Sequence, residues 1–162
     1  METSSLAAAL EREHHEIDAG IAAFAAAPWD RQPLRRAIGA LRRHIYLEEE
    51  FLFPLLREAE PGLAAPVFVM LREHAQIWGA LEALERAVVA GTGLALRKRL
   101  TVQLLHHNLK EEKILYPRAD DLLPPAAADR LRVFLGSGEL PGGWVCMMKA
   151  RPAPGHAGRA AR

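Results

Sequence analysis

The sequence predicts an all-α protein, an antiparallel up-down-up-down four-helix bundle followed by a short fifth helix and a flexible C-terminal tail. Apolar residues recur at steps of three and four in four long segments, which is the spacing of an amphipathic helix. No run of β-branched residues alternates with period two for more than a few positions. Four long helices joined by short loops favour the bundle architecture.

The composition fits one globular domain with a single core, since 50% of the 162 residues are hydrophobic and 25% are charged. Lys and Arg total 21 against 20 Asp and Glu, and the two signs are interleaved, so no broad cationic face is expected for nucleic acid. No stretch approaches the ~18 apolar residues of a membrane span. We therefore expect a cytoplasmic protein with neither nucleic-acid nor membrane partners. The single cysteine, Cys146, excludes an internal disulfide and a thiolate zinc site.

The first predicted helix spans about residues 4–26. Thr3, Ser4 or Ser5 can act as its N-cap, and Pro28 lies beyond its end. The second spans about residues 30–57, with Asp30 as N-cap; Pro54 should bend or break its last turn. The inward stripe of the first helix is Leu6, Leu10, His14, Ile17, Ile21 and Phe24, and that of the second is Leu34, Ile38, Leu41, His44 or Ile45, Glu48, Leu52 and Leu55.

The third helix follows Pro61 and ends at Gly91, and the fourth is closed by Pro117. A short fifth helix at about residues 126–135 completes a bundle domain of residues 1–136. Residues 137–162 form a tail rich in Gly, Pro and basic residues, expected to be flexible. Alternatively Trp144, Val145, Met147 and Met148 pack onto the bundle as a clasp. The third stripe is Val67, Met70 or Leu71, His74, Ile77, Leu81, Leu84 and Val88, and the fourth is Leu96, Leu100, Leu104, His107, Glu111 and Ile114 or Leu115.

An internal repeat relates the two halves of the bundle. The motif H-x-x-x-E-E-x-x-x-[FY]-P begins at His44 and again at His107, 63 residues later. Residues 12–17 likewise match residues 72–77, which aligns His14 with His74. The bundle is therefore two copies of one helical hairpin, and each copy supplies one lone His and one H-x-x-x-E pair.

The spacing of these residues predicts a metal centre in the core. Residues four apart share one helical face, and a buried, unpaired Glu costs several kcal/mol unless it is protonated, paired or metal-bound. Four His and two Glu suit two metal ions, each taking two imidazoles and sharing both carboxylates. The predicted ligands are His14, His44, Glu48, His74, His107 and Glu111.

Simpler interpretations apply to each part taken alone. One H-x-x-x-E pair is usually a surface pair worth a few tenths of a kcal/mol, and a lone His on an apolar stripe is usually a core residue. Six such residues at matching places in two repeats favour metal binding. Glu49 and Glu112 lie about 100° around the helix from Glu48 and Glu111. We expect them either to be solvated or to hold the metal ligands from outside the site. His15 and His106 lie off the stripes, although either could replace its neighbour if the helix phase differs. His156 is unrelated. Tyr46, Trp78 and Tyr116 could lie near the site, but we expect them to pack in the core.

These motifs resemble the hemerythrin-like, or HHE cation-binding, domain family over about residues 4–118. The resemblance implies a non-haem di-iron site, oxo- or hydroxo-bridged, with two carboxylate bridges; His and carboxylate also suit manganese or zinc. Oxygen-carrying hemerythrins have two His four apart on the third helix and a His-x-x-x-x-Asp motif on the fourth. Here Trp78 stands four residues after His74, and Glu111 follows His107 by four. The chain is therefore more similar to the bacterial H-HxxxE-H-HxxxE subgroup, which has been linked to oxygen, nitric oxide, peroxide and iron handling.

Three functions remain open from the sequence. The first is a di-iron protein that binds or reacts with oxygen, nitric oxide or peroxide. The second is an iron or oxygen sensing or storage module that signals metal occupancy to a protein partner. The third is a structural role, in which the metal only stabilises the bundle. Nothing identifies a catalytic acid or base outside the metal ligands, so the sequence leaves enzymatic activity open.

Overall fold

The computed structural model describes residues 4–150, which are almost entirely helical and contain no strand in that range. The all-α prediction is confirmed. None of the described helices is long and apolar enough to cross a membrane. The α-helices are α1 (Leu6–Ala26), α2 (Gln32–Leu47), α3 (Phe53–Ala59), α4 (Ala64–Val89), α5 (Leu94–Lys110), α6 (Tyr116–Leu122), α7 (Pro125–Ser137) and α8 (Met147–Ala150).

The helix ends follow local chemistry. Ser5 is the N-cap of α1, and its hydroxyl accepts a hydrogen bond from the Ala8 N–H at 3.1 Å. Asp30 accepts from the Gln32 N–H at 3.0 Å at the start of α2, although the residue directly before that helix is Arg31. Gly93, with φ at 121°, turns the chain between α4 and α5 in a conformation that other residues rarely adopt.

The α-helical hydrogen bonding of the second predicted helix is interrupted near Pro54, as expected, but the interruption is a wide turn that precedes the proline. Glu48–Leu52 forms a π-helical turn in which the Phe53 N–H donates to the Glu48 carbonyl, and α3 follows with Pro54 in its first turn. The second repeat does the same at Glu111–Leu115, before α6 and Pro117. Each proline therefore lies directly after a turn that has already interrupted the α-helical hydrogen-bond ladder, which is where its ring and its missing N–H disturb the helix least. Both H-x-x-x-E glutamates therefore open a π turn, a feature often found at functional sites.

Two apolar clusters fill the core, and the polar residues of interest lie between them. One cluster contains Leu10 of α1, Leu47 of α2 and Leu71 of α4. The other contains Ile17, Ile45 and Ile77, from the same three helices. His14 on α1 and His74 on α4 each lie between residues of the two clusters. The helices thus place a polar layer between two apolar layers, which exclude water from it.

The chain after α7 packs onto the bundle, and we call residues 138–150 the C-terminal strap. Cys146 is fully buried in the second apolar cluster. The Trp144 ring lies 5.1 Å from that of Tyr46 and 5.5 Å from that of Trp78, and α8 packs against α4. The expectation of a flexible tail is therefore wrong for residues 144–149, because burying aromatic and sulfur-containing side chains holds them in place. The clasp alternative is correct there, although Val145 itself is exposed. Residues 151–162, with His156, lie outside the described residues.

Candidate metal centre

The polar layer contains all six side chains that the repeat predicts. Each of the four long helices supplies one histidine, and the two π turns supply the two glutamates. All six side chains are 5% exposed or less. They are His14, His44, Glu48, His74, His107 and Glu111.

The four imidazoles form two pairs. The Nε2 atoms of His14 and His44 lie 3.1 Å apart, and the ring centres of His74 and His107 lie 5.0 Å apart. Together with both glutamates, each pair offers four ligand atoms that all lie within 4.8 Å of one another. This spacing could hold one metal ion per pair.

Each glutamate presents one oxygen to each histidine pair. Glu48 Oε1 lies 3.3 Å from His44 Nε2, and its Oε2 lies 3.2 Å from His74 Nε2. Glu111 Oε2 lies 3.4 Å from His14 Nε2, and its Oε1 lies 3.0 Å from His107 Nε2. Both carboxylates therefore lie between the two pairs, in the arrangement that a bridging ligand requires.

Two of the histidines contact a glutamate of their own hairpin through Nδ1, the ring nitrogen that faces away from the centre. Glu13 Oε2 lies 2.7 Å from His44 Nδ1, and Glu73 Oε2 lies 2.9 Å from His107 Nδ1. Both glutamates directly precede a histidine of the centre in the sequence. An Nδ1–H that donates to a carboxylate leaves the Nε2 lone pair of a neutral imidazole pointing into the layer.

The other two histidines are held by a glutamate of the opposite hairpin. Glu49 Oε1 lies 2.9 Å from His74 Nδ1, and Glu112 Oε1 lies 2.9 Å from His14 Nδ1. Glu49 is buried, whereas the Glu112 side chain is 21% exposed. All four imidazoles therefore have a carboxylate behind them and direct Nε2 towards the centre.

Tyr116 and Phe53 occupy equivalent places in the repeat but surround the centre differently. The Tyr116 hydroxyl donates to Glu48 Oε1 at 2.7 Å and lies 2.9 Å from His14 Nε2. The Phe53 ring instead stacks on His74, with ring centres 5.6 Å apart. One side of the centre thus has a hydroxyl group and the other an apolar ring.

The carboxylates of the layer change the ionisation of His44 and His74. Burial alone lowers the pKa of His44, but Glu48 and Glu13 outweigh burial and raise that pKa to about 10. The pKa of His74 is raised well above its ordinary value for the same reason, although burial again opposes the shift. Burial raises the pKa of Tyr116, and the neighbouring glutamates raise it further, so its hydroxyl keeps its proton. The layer attracts positive charge, either protons or a metal.

Three buried atoms indicate that a metal fits. Glu48 Oε2, His74 Nε2 and Glu111 Oε1 have no hydrogen-bond partner within residues 4–150. A buried polar atom left without a partner costs free energy, and all three atoms belong to one of the two candidate ligand groups. Imidazole nitrogen and carboxylate oxygen are suitable ligands for iron, manganese or zinc.

The residues beside the six have separate roles. His15 and His106 are exposed, so neither replaces its neighbour in the layer. Of the two expectations for Glu49 and Glu112, the second is correct, because each carboxylate contacts the Nδ1 atom of a histidine of the centre. Glu13 and Glu73 lie outside the predicted set, although the Glu-His dipeptide repeated on α1 and α4 was a signal for them. Tyr116 was expected to pack in the core, with a place near the site as the alternative, and its hydroxyl lies within the centre.

Comparison with known proteins gives one match. No curated protein and no solved structure matched the chain. The family model described as the hemerythrin HHE cation binding domain matches residues 5–119, a segment that contains all six buried residues of the centre and the four glutamates behind the histidines. The match covers well over half of the 162 residues. This chain therefore belongs to the hemerythrin HHE cation-binding domain family.

Proposed function

We propose that the protein binds two iron ions in the polar layer and uses them to bind or react with oxygen, nitric oxide or peroxide. His14 and His44 would hold one ion and His74 and His107 the other, with Glu48 and Glu111 bridging. The observation that carries the proposal is that each of these carboxylates presents one oxygen to each histidine pair. Histidines and carboxylates projecting from facing helices are a common setting for di-iron centres.

The protein residues around the ions would control access and protons. When bound, a pair of iron ions supplies electrons and open coordination positions for a small oxygen or nitrogen species. Tyr116 keeps its proton and donates it to Glu48 Oε1 on the His14 side, and this one donor would turn from Glu48 to a ligand bound there. Phe53 stacks on His74 and excludes water on the other side. We therefore expect a small ligand to bind on the Tyr116 side.

Anaerobic reconstitution with Fe²⁺ tests the proposal. The wild-type protein should retain about two irons per chain after desalting, and its optical spectrum should change on oxidation and return on addition of dithionite. Nitric oxide or peroxide should alter the spectrum or be consumed. Retention of no iron, or a spectrum unaffected by dithionite and by all three small molecules, contradicts the proposal. The same preparation loaded with Zn²⁺ is the redox-inactive control.

A sensing or storage function is the second candidate, and it is favoured by the charge of the layer. Six glutamates surround four histidines: Glu13, Glu48, Glu49, Glu73, Glu111 and Glu112. Removing two cations leaves these carboxylates in the bundle with only protonated histidines, Arg43 and Lys110 to balance them, so the packing of the bundle should change. A loaded protein that is inert towards peroxide and nitric oxide, but whose hydrogen exchange rises strongly on metal removal, favours the second candidate over the first.

A further inference from the structure

The C-terminal strap reaches the metal centre, although it lies outside residues 5–119 that match the family. The backbone N–H of Met147 donates to Glu49 Oε2 at 2.7 Å. The other oxygen of the same carboxylate, Oε1, lies 2.9 Å from His74 Nδ1. One carboxylate thus connects the strap directly to a histidine of the centre.

Packing holds the strap in this position. Cys146, directly before Met147, is fully buried, and its removal from water raises the pKa of the thiol to about 11. The indole N–H of Trp144 donates to Glu50 at 2.9 Å, and the ammonium of Lys149 lies 3.6 Å from Glu82 on α4. The Met147 N–H is therefore held by contacts on both sides of it.

The four glutamates behind the histidines differ in how they are themselves held. The Glu13 carboxylate is also bound by Arg43, and the Glu73 carboxylate is also bound by Lys110. Glu112 has no second hydrogen bond from within residues 4–150. Glu49 is held by a backbone N–H of the strap. The position of this donor depends on the path of the main chain and not on a side-chain rotamer.

We propose that the strap is a positioning element of the metal centre: the Met147 N–H fixes Glu49, and Glu49 fixes the tautomer and orientation of His74. The inference rests on the proposed function. A carboxylate that orients a ligating histidine typically changes metal affinity by about 10- to 100-fold. Displacing the strap should therefore lower the affinity for the ion at His74 and His107. The affinity for the ion at His14 and His44 should not change.

Met147→Pro tests this with Met147→Ala as its matched control. Both variants lose the methionine side chain, but only the proline removes the N–H. Position 147 is the first residue of α8, where proline is tolerated. Titration of the metal-free full chain with Co²⁺, followed by absorbance and calorimetry, should show two sites in wild type and in the alanine variant. In the proline variant one site should weaken about tenfold and the other should not change.

The outcomes separate the strap from the metal centre. If wild type does not bind two Co²⁺ ions, the proposed function fails. If wild type binds two and both variants bind them equally, the strap inference alone is wrong. Amide hydrogen exchange in wild type provides a measurement that needs no variant. The Met147 amide should exchange at least tenfold more slowly with Co²⁺ than without it, because linkage is reciprocal, whereas the amide of the exposed Val145 serves as the internal comparison. A Met147 amide unaffected by Co²⁺ overturns the inference.

Discussion

Phe53 and Tyr116 stand 63 residues apart at matching positions of the repeat, yet they give the two sides of the centre different chemistry. The Tyr116 hydroxyl lies 2.9 Å from His14 Nε2 and 3.0 Å from His44 Nε2. The Phe53 ring stacks on His74, with ring centres 5.6 Å apart. The two hairpins, although related by the repeat, therefore surround the two histidine pairs with different groups, a hydroxyl at one pair and an apolar ring at the other.

Replacing Tyr116 by Phe should preserve two bound metals and weaken nitric oxide binding to the iron-loaded protein by about fivefold. This factor corresponds to the loss of one hydrogen bond worth about 1 kcal/mol. Titration followed by the optical spectrum measures the effect. Phe51→Leu, at a partly exposed aromatic outside the layer, is the control and should leave the affinity unchanged. Equal affinities for wild type and Tyr116→Phe would mean that the ligand does not bind on the Tyr116 side.

Glu48→Gln should lower bound metal from about two ions per chain to one or none. The amide nitrogen of glutamine cannot ligate a cation, so the side chain no longer offers an oxygen to each histidine pair. Elemental analysis of the desalted protein measures the loss. Glu58→Gln, at an exposed position on α3, carries the same chemical change and should keep both ions. Full occupancy in Glu48→Gln would show that this carboxylate does not bridge.

Adjacent histidines provide a second matched comparison. His14→Ala should remove at least one ion, whereas His15→Ala should retain both, since His14 is buried and His15 is exposed. The same contrast applies to His107→Ala and His106→Ala. Metal content and the melting temperature together report the outcome. A loss of metal in the His15 or His106 variant that equals the loss in its partner variant would contradict the assignment of the ligands.

The stability of the metal-free and the loaded protein should depend on pH with opposite signs. In the metal-free protein the pKa of His44 is raised to about 10, above its unfolded value of ~6.5. Its contribution is therefore complete below pH ~6.5 and is lost as pH rises towards 10. In the loaded protein the imidazoles must be neutral, so protons displace the metal and stability falls as pH drops from 7 to about 5.

Urea unfolding across this pH range, with and without chelator, measures both slopes. Denaturant midpoints of the chelated protein should decline between pH 6.5 and 10. Those of the loaded protein should decline between pH 7 and 5 and approach the chelated values. Identical curves with and without chelator at pH 7 would rule out a metal that stabilises this core.

The sequence alone was sufficient for the four long helices, for the short helix near residues 126–135 and for the burial of the six residues that the repeat singles out. Helical stripes depend on spacing along one segment, so leucines such as Leu10 and Leu104 and histidines such as His14 could be assigned to inward faces without knowledge of their neighbours. The repeat then indicated that His44 and His107 are equivalent. The π turns were not foreseen, because the period of a stripe does not show how the backbone accommodates Pro54 or Pro117.

Only the tertiary structure decided which partner each supporting residue contacts. Glu49 and Glu112 each hold a histidine of the opposite hairpin, and the strap anchors Glu49 through a backbone N–H of Met147. These contacts depend on how the hairpins pack and on where a non-helical segment lies, and neither is encoded in a local periodicity. A backbone donor in particular has no signature in the residue type. For the same reason, the sequence could not predict that the Tyr116 hydroxyl contacts His14 and His44. A repeat relates positions to one another but does not say which histidine pair a side chain faces.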